Sequence, residues 1–336
     1  HLLNEPVDIS GDFYDFTNTH YIADSLSSFD ISSGTGDLVY HRFENSTRLA
    51  FNNMMGVLKP VRPNEFPTNE YAASPKLPFS IEFISARTIR IKANTGFKPA
   101  TGEHSLMLRN GVVSKDNVSW KASRVEGGYM YSGEFGTVMI KENPWCIEFG
   151  DKNGYFLTRT VHLDDLSNSS YIPALPFSFV RRAKDYSRSM NASFFLSPDE
   201  KIFGCGESFT RLDKRGQKVV LWADDANGVQ NETMYKPIPF FMSSRGYGMF
   251  MHTSSPVTCD FGKYFGNINS LMIGEDCLDL FIFLGDPKEI LNEYTNLTGK
   301  SPMPPLWSFG LWMSRITYQS QRQVEEVAQN LEKYQI

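Results

Sequence analysis

Between residues 35 and about 285 the chain alternates apolar and polar positions with period two, in short runs broken by Gly, Asn, Asp and Pro. That is the pattern of half-buried strands. In FSIEFISARTIRIKA, Phe79, Ile81 and Phe83 share one face, and Ile89 and Ile91 repeat the pattern after a break. WCIEFGDKNGYFLTRT predicts a hairpin, with Asn153 and Gly154 supplying the φ > 0 positions of a tight turn. Further strands are predicted at TVMIK, ASFFL, KVVLWA, IPFFMSS, YGMFMHT and LDLFIFLG. So many short strands imply a sandwich in which two sheets bury their apolar faces against each other. No repeat of fixed period is present, which disfavours a propeller.

After LFIFLG the texture changes. Asp286 and Pro287 are placed to cap and start a helix with Ile290, Tyr294 and Leu297 on its apolar face and Gly299 at its end. SPMPP then reads as a stiff connector between domains. WSFGLWMS is apolar on both faces, as a strand buried in a parallel sheet must be. Ser320 with Gln323 predicts a capping box, and Val324, Val327, Ala328 and Leu331 fall on one face of the helix that follows. The expected organisation is therefore mainly β: a sandwich over residues 1–300, then a linker and the first strand and helix of a (β/α)₈ barrel over 301–336. Such a barrel takes roughly 250 residues, so the chain is expected to be the front part of a longer protein. Left uncovered, the surface around Trp307, Phe309, Leu311 and Trp312 is expected to aggregate, to drive a homo-oligomer or to disorder.

Composition narrows the chemistry. The 336 residues carry a formal net charge of -5 with no Lys/Arg run, which gives no electrostatic reason to expect nucleic acid or an anionic membrane as partner. No apolar run reaches the roughly 18 residues of a membrane span. Cys146, Cys205, Cys259 and Cys277 lie far apart without a C-x-x-C pair, and the six histidines show no H-x-x-x-H spacing. Buried free thiols and no metal are expected. No Gly-rich phosphate loop joins a strand to a helix, so no cofactor is expected.

Three stretches carry a resemblance: FGCGESFTRLDKRGQKVVLWADDANG (203–228), TMYKPIPFFMSSRGYGMFMHTSSPVTCDFG (233–262) and FLGDPKEILNEYTNLTGKSPMPPLWSFGLWMSR (283–315). In order and spacing, their G-x-G-E, W-x-x-D, Y-x-x-I-P-F and G-x-x-x-x-P-P-x-W-x-x-G resemble glycoside hydrolase family 31, and within it the bacterial α-xylosidase branch. The resemblance implies a mutarotase-like sandwich packed on a (β/α)₈ barrel and retaining hydrolysis of α-linked sugars. It implies two aspartates on later barrel strands, with their carboxyl groups roughly 5–5.5 Å apart, as nucleophile and acid/base. On that reading no catalytic residue lies in this chain, and the chain alone is expected to be inactive. The partner is an oligosaccharide. A bacterial cytoplasmic or periplasmic location is the expectation.

The resemblance also names substrate-binding candidates. Asp225 aligns with the W-x-x-D aspartate that in relatives leans over the barrel mouth and accepts hydrogen bonds from sugar hydroxyls. Asp224 and Asn227 are weaker neighbours, and Trp222 reads as packing at the loop base. Ile316 and Tyr318 follow the first barrel strand, where active sites of barrels are built. Ile316 departs from the aromatic that relatives often carry there, and Tyr318 is placed to compensate. Glu207, Arg211 and Arg245 read as structural groups bridging sandwich and barrel, with Glu207 deep in the motif. Asp260 of the D-F-G stretch precedes the barrel and reads as an ordinary strand-end residue. The alternative from another class is a non-catalytic carbohydrate-binding or structural sandwich.

Overall fold

The alternating runs become antiparallel ladders in which every second side chain turns inward. The computed structural model describes residues 7–15, 17–50, 53–60, 74–96, 104–116, 119–162, 175–224, 235–312 and 315–336, with the side chains of 44–50 and 53–60 excepted. The first strands are β1 (Thr19–Asp30), β2 (Thr35–Ala50), β3 (Asn53–Pro60), β4 (Lys76–Phe83) and β5 (Thr88–Asn94). A meander follows: β6 (Lys121–Val125), β7 (Gly128–Ser132), β8 (Gly136–Glu142), β9 (Trp145–Asp151) and β10 (Phe156–Arg159). Next come β11 (Ser178–Arg181), β12 (Arg188–Phe195), β13 (Ile202–Gly206), β14 (Lys218–Leu221) and β15 (Pro237–Ser243). The last are β16 (Tyr247–Met251), β17 (Val257–Phe261), β18 (Ile268–Ile273) and β19 (Cys277–Leu284). The helices are α1 (Ser10–Tyr14), α2 (Pro287–Thr298) and α3 (Gln321–Tyr334).

One sheet has the order β13-β15-β16-β19-β5-β4-β2-β1-β11-β12-β18-β17-β14, with β3 paired to β2. The meander forms the second sheet, β10-β9-β8-β7-β6. Inward rows of both sheets share one core. Trp145 of β9 meets Phe79 of β4 edge-on at 5.5 Å between ring centroids, and Phe177 at 5.0 Å. Phe241 and Phe261, from β15 and β17 near opposite ends of the large sheet, meet at 5.1 Å, so that sheet also folds back on itself. Each such ring removed from water contributes on the order of 1.5–3 kcal/mol. Outside the sheet, α2 lays Ile290 and Leu297 on Phe240, Phe250, Phe281 and Phe283. On the far side, Ile9 and Phe13 from and beside α1 roof Ile22, Phe43, Val180 and Met272.

Three local expectations change. In the β9–β10 hairpin only Gly154 takes a positive φ (80°), and Asn153 does not. The turn is longer, because the Asp151 carboxylate accepts from the N–H groups of Asn153 (2.8 Å) and Tyr155 (2.9 Å) and fixes the chain between them. WSFGLWMS is not a strand over its described residues 307–312. Leu306–Phe309 is a single 3₁₀ turn, with Ser308 N–H bonded to the Pro305 carbonyl and Gly310 N–H to that of Trp307, both at 3.0 Å. Among the described residues no strand pairs with it, so the backbone closes local bonds instead. Finally, Ser320 caps α3 through the Gln323 N–H at 3.3 Å, but the Gln323 side chain accepts from Gln319 N–H (2.9 Å) rather than from the Ser320 N–H of a closed capping box.

The chain divides into two compact units, residues 1–299 and 300–336. The first holds both sheets and all the buried side chains among the described residues; no described residue of the second is buried. Among the described residues no helix is long and apolar enough to cross a membrane.

Candidate functional site

The G-x-G-E stretch shows why its glycines are needed. Gly204, Cys205 and Gly206 take φ of 133°, 71° and 87°, which makes a bulge where β13 slips against β15. A Cβ on Gly206 would lie 2.0 Å from the Lys236 carbonyl oxygen. Glu207 follows the bulge and projects outward, with its side chain 77% exposed and its carboxylate 3.7 Å from Lys236 Nζ. It is a surface residue, contrary to the expectation that it lies deep in the motif. Arg211 donates to the Arg215 carbonyl at 3.3 Å and Arg245 to that of Phe156 at 2.6 Å, two bonds made within the first unit. Lys214 is buried behind the same loop and donates to Thr210 Oγ1 (2.7 Å) and Ser208 Oγ (3.3 Å).

β14 pairs with β17, Leu221 facing Val257, and then releases the chain at Trp222. Trp222 is 40% exposed, more open than a packing residue at a loop base. It forms one wall of a groove of about 430 Å³, whose other walls include Met107, Pro237, Pro239, Thr253 and Ser255. Tyr235, two residues before β15, and Ile238, within it, are also exposed. The far wall is fixed by hydrogen bonds: Thr253 Oγ1 donates to the Glu275 carboxylate and accepts from Ser255 N–H at 2.9 Å. An aromatic face beside hydroxyls and ring prolines suits a sugar, which offers C–H faces and hydroxyl edges together.

A larger groove of about 630 Å³ lies elsewhere, over β1, β2, β4 and β5, lined by Asp30, Asp37, Ser80, Lys92 and Asn94. It contains none of the motif residues, and size alone does not make it the stronger candidate. Asp30 is already engaged by Ser32 N–H and Ser33 Oγ.

The expected contacts sort unevenly. Asp225 and Asn227 lie outside the described residues, and Asp224 closes the described part of the strand exit. Ile316 and Tyr318 belong to the second unit. Ile316 is fully exposed and Tyr318 is 37% exposed, with the Arg315 guanidinium 5.5 Å from its ring centroid. Asp260 is the penultimate residue of β17, where burial raises its carboxyl above the usual range while Lys263 N–H donates to it at 2.7 Å. Met107 is the residue that reading the sequence missed. It sits on a segment without period-two or helical patterning, so only the folded chain brings it to Trp222.

The family model described as "Glycosyl hydrolase 31 N-terminal galactose mutarotase-like domain" matches residues 78–260, and that of the "Glycosyl hydrolases family 31 TIM-barrel domain" matches 301–336. Alpha-xylosidase XylQ of Lactiplantibacillus pentosus is 41% identical over 128 residues, 37% of this chain and 16% of that protein. Alpha-glucosidase 2 of Bacillus thermoamyloliquefaciens is 33% identical over 257 residues, 74% of this chain and 30% of that protein. In fold, the chain is similar to a family 31 dextranase of Flavobacterium johnsoniae, with a TM-score of 0.65 at 21% identity over 94% of this chain and 33% of that one. The chain thus spans less than a third of the length of these curated relatives. With a family model covering more than half of its residues and the barrel model following in order, the chain belongs to glycoside hydrolase family 31.

Proposed function

We propose that this chain supplies the sandwich and barrel entry of a retaining α-glycosidase, α-xylosidase first and α-glucosidase or transglycosylase next, acting on terminal α-linked sugars. The observation that carries the reading is the order of the two family matches, 78–260 and then 301–336, with the aromatic groove at Trp222 falling on the W-x-x-D strand exit. The 41% identity to an α-xylosidase favours xylose over glucose. The catalytic aspartates, nucleophile and acid/base, are assigned to barrel strands beyond residue 336. Within this chain the role is recognition: Asp225 offers two acceptor oxygens to adjacent hydroxyls beyond the cleavage point, with Ile316 and Tyr318 at the mouth of the barrel. The F. johnsoniae relative is described with isomaltotriose bound, a ligand of the same class.

Two measurements on the full-length polypeptide test this. Turnover of α-xylosides against α-glucosides sets the sugar, and activity on neither refutes the reading. Asp225→Ala is expected to reduce turnover of oligosaccharides about tenfold or more while leaving small aryl glycosides within about threefold. Equal losses on both would remove Asp225 from the binding role.

A further inference from the structure

Beside the Trp222 groove, four side chains form a continuous hydrogen-bonded line. Ser105 Oγ lies 2.7 Å from His252 Nε2, and His252 Nδ1 lies 2.7 Å from Asp279 Oδ2. Arg90 grips the same carboxylate twice, Nε at 2.7 Å from Oδ1 and a terminal nitrogen at 2.6 Å from Oδ2. The His252 and Asp279 side chains are each 5% exposed, and the imidazole packs in a triangle with Phe250 and Phe281, their ring centroids 5.9 and 6.0 Å away. Burial alone would raise the Asp279 carboxyl, yet Arg90 and His252 more than offset it and hold it below the usual range. An ionised carboxylate only accepts, so Nδ1 carries hydrogen, and in the neutral ring Nε2 is left to accept from the serine hydroxyl.

The geometry is that of a serine nucleophile with its base and orienter, but its surroundings are not. A nucleophilic serine needs backbone donors free to hold an oxyanion. Here Met107 N–H donates to Ser105 Oγ itself (3.2 Å), Ser105 N–H to the Gly111 carbonyl (2.8 Å) and Leu108 N–H to the Ser105 carbonyl (3.2 Å). The donors nearest the hydroxyl are consumed in closing the 105–111 loop. What the line does is fasten that loop to the sheet. Ser105 is tied through His252, the residue after β16, to Asp279 of β19, and Leu108 is buried against the phenylalanines under α2. Met107 lies between these two attachment points and forms a wall of the groove; Thr253, next to His252, forms another.

We infer that the Ser105–His252–Asp279–Arg90 line is a positioning device that holds Met107 in the Trp222 groove, and that Met107 helps set which saccharide the groove accepts. The unbranched thioether supplies a deformable apolar surface for a sugar's C–H face. This rests on the reading of the groove as a saccharide site.

The test compares Ser105→Ala, His252→Phe, Met107→Ala and Trp222→Ala. Losing one buried hydrogen bond shifts local opening by about 3–10-fold, so amide exchange across 104–111 should rise by that factor in Ser105→Ala and more in His252→Phe. In the full-length polypeptide, KM for isomaltotriose or an α-xylosyl disaccharide should rise about threefold or more in both, with kcat within about twofold, and Met107→Ala should change the ratio of kcat/KM between the two sugars. If KM rises in Trp222→Ala but stays unchanged in Ser105→Ala and Met107→Ala, the inference is wrong and the groove reading survives. Unchanged KM in all four refutes the groove and the inference together. Labelling of Ser105 by a fluorophosphonate would overturn the positioning role in favour of a nucleophile.

Discussion

His20 is a single residue whose burial has a measurable consequence. It stands on β1 between Phe43 of β2 and Val180 of β11, beneath the apolar roof of α1, and burial pushes its pKa down from 6.5 to about 4. The folded chain thus refuses a proton that the unfolded chain takes up below about pH 6.5, so this linkage costs almost nothing at neutral pH and destabilises as pH falls toward 4. Between pH 7.5 and 5 the loss amounts to about 2 kcal/mol. Urea unfolding at the two pH values should show this difference in the native chain and a smaller one in His20→Leu; identical differences would assign the pH dependence to other groups. Such a residue was not legible beforehand, because nothing in THYIAD distinguishes a histidine facing solvent from one beneath a roof made by residues 9 and 13. Cys205 is a comparable case. The glycines flanking it announce an unusual turn, but a left-handed cysteine at φ 71° is visible only once β13 is laid against β15.

Among the elements, α2 was almost wholly legible. Asp286 accepts from the N–H groups of Lys288 (2.8 Å) and Glu289 (2.9 Å), Glu289 returns the bond to Asp286 N–H (2.9 Å), Pro287 opens the helix and Gly299 ends it at φ 108°. These are short-range signals, and short-range signals survive folding. What covers the helix is long-range and was not legible. Tyr294 stacks on Phe240 at 4.1 Å, and Ile290 approaches Gly248 so closely that a Cβ there would lie 2.6 Å from its Cγ2. Gly248→Ala is therefore expected to overpack this contact and cost about 1–3 kcal/mol, whereas Asp286→Ala should cost about 1 kcal/mol through the lost cap. Chemical denaturation of both variants checks the order. A Gly248→Ala chain as stable as the parent would mean that α2 shifts freely on the sheet. The stretch 307–312 failed for the complementary reason: its apolar texture suits a strand, but a strand exists only with a neighbour to pair with, and pattern cannot supply one.

At the scale of the whole chain, the β-sandwich and its family were legible because alternation recurs over some 250 residues and the glycine, proline and tryptophan motifs keep their order. The partition of stability between the two units follows from burial. Among the described residues every buried side chain lies in 1–299, while α3 has an apolar stripe with Val324 47% exposed and no buried position. A 14-residue helix is marginal in water without tertiary cover. The second unit should therefore add almost nothing to the melting of the first. Removing residues 300–336 is expected to leave the thermal midpoint of the remaining chain within about 2 °C of the parent, because none of the described residues removed is itself buried. The same deletion should reduce self-association, since it removes the exposed Trp307, Phe309, Leu311 and Trp312. Calorimetry with sedimentation on both chains decides it. A drop of the midpoint by about 5 °C or more would mean that the sandwich draws stability from residues 300–336, and unchanged self-association would move the sticky surface onto the sandwich itself.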